Sequence, residues 1–156
     1  SAPTSSMTED VAVAEDVPDT AQPACFEVTL GTGRKAYAPL ADGDTMYLEP
    51  GHQGLQHLVV SIRSAGLPQD RYRVAFHLTL SDGGAVTDPI TVNVPFGNLP
   101  EGNGVQLLGY PLVILEPALI VGYNVVLRVD VEGPEGGVAT DQRAVHVEWA
   151  PEGWDP

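Results

Sequence analysis

From Cys25 to Trp149 the apolar residues fall on alternate positions in short runs, broken by clusters of Gly, Pro, Asp and Asn. Side chains of a strand point to opposite faces with a period of two, so this alternation fits half-buried β-strands and rules out a chain built on amphipathic helices. The pattern is cleanest in Leu127-Arg128-Val129-Asp130-Val131 and Val145-His146-Val147-Glu148-Trp149. In each, one face is apolar and the other polar, as in a sheet that meets a core on one side and water on the other. No segment sustains apolar residues at i, i+3, i+4 and i+7 over three turns, so at most one helical turn is expected.

Strands are predicted over Cys25–Leu30, Lys35–Ala38, Thr45–Leu48, Leu55–Arg63, Arg71–Leu80, Pro89–Val94, Val105–Leu115, Leu119–Val131 and Val138–Trp149. Ser81-Asp82-Gly83-Gly84 and Gly133-Pro134-Glu135-Gly136-Gly137 supply the positive φ values of tight reversals, and each predicts a hairpin. The stretches 67–70 and 97–104 read as wider connections, suited to crossing between sheets or around an edge. Seven to nine strands with this spacing of turns predict an all-β fold, an antiparallel two-sheet β-sandwich of immunoglobulin-like type.

The closing hairpin, NVVLRVDVEGPEGGVATDQRAVHVEW, resembles the final two strands of bacterial immunoglobulin-like domains. The block CFEVTLGTGRKAYAPLADGDTMYLEPGHQGLQHLVVSIRSAGL is similar to secreted or lipoprotein-type domains of myxobacteria and their relatives. The resemblance implies an exported β-sandwich and carries over no catalytic residue.

Residues 1–23 are small, acidic and punctuated by proline, without Leu, Ile or an aromatic residue. Such a segment buries too little to offset its ordering entropy, and it reads as a flexible acidic tether. The expected organisation is a tether over 1–23, one β-sandwich domain over 24–150 and a short C-terminal tail over 151–156. The chain has 156 residues and 43% hydrophobic composition, enough for one core of that size.

Seven Lys and Arg stand against 21 Asp and Glu, a formal net charge of −14. That field repels nucleic acid and anionic membrane surfaces, and no apolar run is long enough for a membrane-spanning helix. The single cysteine, Cys25, has no internal disulfide partner and reads as a small buried hydrophobe, with an intermolecular bridge as the alternative.

The usual catalytic and nucleotide motifs are missing: the chain has no G-x-S-x-G, no G-x-x-x-x-G-K-[ST] and no H-E-x-x-H. Gly31-Thr32-Gly33-Arg34 resembles half of a phosphate loop but precedes no predicted helix. Asp42, Asp44 and Glu49 cluster in sequence without the spacing of a calcium-binding loop, which leaves a solvated acidic turn as the first reading and calcium as the second.

Histidine is the concentrated chemical resource: His52, His57, His77 and His146. His52 and His57 are five apart, an odd spacing that sends them to opposite faces of a continuous strand. Gly51 and Gly54 place His52 in a turn instead, where it is freer to approach Glu49 and His57. Leu58, Val60 and Ile62 are predicted inward, so His57 faces outward. In the next long strand Tyr72, Val74, Phe76, Leu78 and Leu80 face inward, which sets His77 outward as well.

A direct hairpin between these two strands would oppose His57 to His77 and also Arg63 to Arg71, a like-charge pair. Placement in opposite sheets separates the histidines and is the preferred arrangement. His146 is expected at the surface beside Glu148, and Gln56 is expected to hydrogen-bond a neighbouring backbone.

These readings predict no enzyme and no required cofactor. They favour a non-catalytic exported module, periplasmic, outer-membrane-tethered or extracellular, acting in binding, adhesion or spacing with a protein or envelope partner. The alternative is a copper- or zinc-binding protein using His52 and His57 with Glu49, another carboxylate or His77. The apolar stretch from Gly109 to Val121 reads either as a strand covered on both faces or as an edge for homo-oligomer contact.

Overall fold

The computed structural model describes residues 25–51, 55–84, 86 and 88–154. They form nine strands: β1 (Glu27–Thr32), β2 (Ala38–Pro39), β3 (Thr45–Pro50), β4 (Gln56–Ala65), β5 (Asp70–Leu80), β6 (Ile90–Asn98), β7 (Val105–Ile114), β8 (Asn124–Glu132) and β9 (Val138–Trp149). A 3-10 turn, Pro117–Leu119, stands between β7 and β8. Among the described residues no helix is long and apolar enough to cross a membrane.

The fold is all-β as expected, but the two-sheet antiparallel sandwich is corrected to a closed seven-stranded mixed barrel. Around the ring the order is β3, β9, β8, β5, β6, β7 and β4, with β4 pairing back onto β3. Two pairings make the difference. β3 runs parallel to β9, from Thr45 opposite His146 to Leu48 opposite Trp149. β4 and β7 pair antiparallel from Gln56 opposite Ile114 to Ser64 opposite Val105, joining strands that a sandwich leaves in separate sheets or at edges. The 97–104 connection does not cross between sheets; Leu99 N–H donates to Gly104 C=O at 2.9 Å and turns β6 directly into β7.

Alternation then fills the barrel. Leu58, Val60 and Ile62 of β4, Val74 and Phe76 of β5, Val125, Leu127, Val129 and Val131 of β8 and Val147 of β9 are all buried, as the period-two reading predicts. Each side chain of this kind taken fully out of water contributes roughly 1.5–3 kcal/mol. Phe76 stacks on Tyr110 of β7 at 5.1 Å, and Tyr72 meets Phe96 edge-on at 5.5 Å, tying β5 to β6 and β7 through the interior.

β1 completes the wall where β3 stops. It pairs with the second half of β4, Glu27 opposite Ala65 through Gly31 opposite Ser61, and Leu30 N–H donates to Asp141 on β9 at 2.8 Å. The chain after β1 folds over the outer face of β4. This buries Val59 and Ser61, which alternation assigns to solvent. Ser61 Oγ donates to Gly33 C=O and accepts from Gly109 N–H, each at 2.9 Å. Gly109 holds φ at 70°, and a Cβ there would press to 3.2 Å on Arg34, so the overlying segment requires glycine.

Two further expectations change. Cys25 is exposed, not buried, because it precedes β1 and its pairing. The apolar stretch 109–121 is not one doubly covered strand: β7 ends at Ile114, Leu115 is 79% exposed, and the chain turns before Ile120 re-enters the core. In the C-terminal tail, Trp154 packs against Tyr47 at 5.1 Å.

Candidate functional site

β3 and β4 form a hairpin in which Glu49 lies opposite His57, so the two side chains emerge together on the outer face. The segment after β1 brings in Arg34, which forms an ion pair with Glu49 Oε1. His57 Nε2 lies 3.6 Å from the same oxygen and 3.5 Å from Arg34 Nη2. The three line an open cavity of about 400 Å³ whose rim is Pro50 and Gly51. The Glu49 side chain is 13% exposed. Its Oε2 is buried and has no hydrogen-bond partner among the described residues.

Of the residues singled out by sequence, the structure joins Glu49 with His57; His52 lies outside the described residues. Arg34 was missed as a member of the site. Its only sequence signal is the glycine-rich segment that carries it, and nothing local reveals that this segment folds back over β4.

His77 is elsewhere. β5 pairs with β6 and β8 and not with β4, so the His57–His77 hairpin does not form. His77 Nε2 pairs with Asp130 Oδ2 at 2.9 Å, Arg128 donates to the same oxygen at 3.0 Å, and Thr140 Oγ1 donates to Asp130 Oδ1 at 2.7 Å. Burial pushes the Asp130 carboxyl up. The hydrogen bonds from Arg128 and Thr140, with the charges of Arg128 and His77, outweigh it and hold the carboxyl below its ordinary value.

The remaining candidates are bound into the framework. Asp42 accepts from Ala144 N–H and Asp44 from Ala41 N–H, both at 2.8 Å. His146 sits between Asn124 at 2.8 Å and Glu148 at 2.5 Å, and Gln56 donates to Ile114 C=O at 2.5 Å. Among the described residues no three His, Cys, Asp or Glu side chains converge in a group able to hold a metal ion.

A different opening lies at the β6/β7 seam. These strands pair only at Gly97 with Gln106 and Asn98 with Val105, then part. Val59 gives its carbonyl to Thr32 Oγ1 on the β1 side, so its pairing with Pro111 is of the kind that exchanges no ladder bonds. Pro111 therefore turns its missing N–H toward the seam, while Pro95 of β6 lies opposite Arg71 of β5. Proline belongs at such edges, where no donor is needed. At the wide end a groove of about 400 Å³ opens, lined by Val86, Ile90, Val113, Leu115 and Leu119, with Asp88 and Glu116 at its borders.

Compared with known proteins, the chain matches no family model, no curated protein sequence and no solved structure.

Proposed function

We propose that this protein is a non-catalytic binding module, an exported β-barrel on an acidic tether that presents the β6/β7 groove to a protein partner at the cell envelope. One observation carries the reading: Leu115 is 79% and Leu119 44% exposed beside a groove of aliphatic side chains on an otherwise closed barrel. Contiguous exposed apolar surface with a polar border is the usual mark of an interaction site. The small, proline-punctuated, acidic composition of residues 1–23 supports the tether and, with it, export.

A photo-crosslinking residue at position 115, incubated with the envelope fraction, should give one discrete adduct. That adduct should disappear in Leu119→Asp. An adduct that also forms from position 135, in the turn at the other end of β8, would sink the proposal, as would no adduct at all.

A second reading, copper or zinc held by His57 and Glu49 with His52, is favoured by the buried Glu49 Oε2, which has no hydrogen-bond partner among the described residues. Tag-free protein titrated with either ion should then lose affinity at least tenfold in His52→Ala/His57→Ala, a difference of about 1.4 kcal/mol. Equal binding by the variant removes this reading.

A further inference from the structure

In a chain with three times as many acids as Lys and Arg, two arginines side by side are an exception. Arg71 and Arg73 both lie on the exposed face of β5, and residues two apart on a strand leave the same face about 7 Å from each other. They line a polar cleft of about 360 Å³ with Asn93 and Glu132, walled by Gly133 and Pro134. Arg71 is held in place, donating through Nε to Asn93 Oδ1 at 3.2 Å and through Nη2 to Asn93 C=O at 2.9 Å. Arg73 has no ion pair or side-chain hydrogen bond among the described residues. Of the acids at the cleft, Asp70 uses Oδ1 on the Arg71 main-chain N–H at 2.8 Å, and Glu132 stands across from Arg73 on β8.

The same Gly133 and Pro134 also wall a smaller cavity that contains Cys25 and Phe26. Cys25, to which residues 1–24 are attached, therefore lies close to the arginine cleft. That segment holds Glu9, Asp10, Glu15, Asp16 and Asp19, and no Lys or Arg. An extended chain covers about 3.4 Å per residue, so Asp19 reaches roughly 20 Å from Cys25 and Asp16 roughly 30 Å. Both distances are ample for the cleft.

We propose that the Arg71–Arg73 cleft docks the chain's own acidic segment, Glu15 to Asp19. The guanidinium fork matches carboxylate geometry, and two arginines on one face of β5 offer two such forks to the carboxylates of Glu15, Asp16 and Asp19. Exposed pairs are individually weak and screened by salt. Attachment at Cys25 offsets this by keeping the segment at high effective concentration. Docking shortens the free tether at low salt and leaves the cleft open to any competing anionic partner. This inference is independent of the β6/β7 groove.

The test places a spin label at Ala14→Cys in a Cys25→Ser background and follows amide signals of the isotope-labelled protein. Signals of Arg71, Arg73 and Asn93 should lose more than half their intensity at low salt and recover near 1 M salt, where the Debye length is about 3 Å. Arg71→Glu/Arg73→Glu should abolish the loss, and adding Glu15→Lys, Asp16→Lys and Asp19→Lys to that variant should restore it. Broadening that ignores salt and charge reversal, or that is absent, overturns the proposal. So does broadening seen only between separately labelled molecules, which would place the segment on a neighbour.

Discussion

Two outer-face clusters contain the same three kinds of group, an arginine, a carboxylate and a histidine, yet they are finished differently. Around Asp130 both carboxylate oxygens are used: Thr140 on Oδ1, Arg128 and His77 on Oδ2. Around Glu49, Arg34 and His57 both approach Oε1, and Oε2 is buried without a partner among the described residues. The first cluster joins β5, β8 and β9 across their paired registers and behaves as a strut. The second depends on a segment folded over β4 and leaves one carboxylate oxygen without a partner among the described residues.

The largest expected difference comes from removing each arginine. In Arg34→Ala the mostly buried Glu49 loses the arginine on Oε1, and Oε2 has no partner among the described residues, so stability should fall by about 2 kcal/mol. In Arg128→Ala the Asp130 carboxylate keeps Thr140 on one oxygen and His77 on the other, so the loss should stay below about 1 kcal/mol. Urea unfolding of both variants measures this. Equal costs would mean that Glu49 is no worse provided for than Asp130. Glu49→Gln placed on Arg34→Ala should recover part of the loss, because a neutral amide is cheaper to leave buried than a charge.

Acid sharpens the comparison next. Asp130 has its folded-state pKa lowered, so its contribution is fully present above the ordinary carboxylate value and disappears as pH falls through the lower folded value. Unfolding free energies of the wild type and Asp130→Asn should therefore differ near pH 6 and converge as pH drops below about 4. A constant difference down to the acid transition would mean that the charge on Asp130 contributes nothing.

The same contrast explains what the sequence could reveal. Alternation is a property of single strands, so the inward sets of β4, β5, β8 and β9, and the hairpin around 133–137, follow from local pattern. A sandwich and a barrel share that pattern. What separates them is pairing between distant segments, β4 with β7 and β3 with β9, and no local residue announces it. Pro111 is the nearest clue, since it sits in a strand at a position that needs no ladder donor. The site divides the same way: Glu49 and His57 come together through a short hairpin that their spacing suggests, whereas Arg34 and the burial of Val59 and Ser61 depend on a segment returning over the sheet.

The smallest effect tests whether the Asp130 cluster is a strut of separable parts. Thr140 is the sole described donor to Asp130 Oδ1, and it reaches from β9 to its cross-strand partner on β8. Thr140→Val keeps the branched shape that suits a strand and removes that one bond, at a cost of about 0.5–1 kcal/mol. It also removes one of the bonds that lower the Asp130 pKa, so the carboxyl should titrate at higher pH in the variant, read directly from its carbon chemical shift. Because Arg128 and His77 still hold Oδ2, the His77 ring should keep its partner and its own shift should stay in place. A large stability loss, or a His77 signal that moves with it, would show that the cluster works as one unit and that a full set of hydrogen bonds, more than the number of charges, is what separates Asp130 from Glu49.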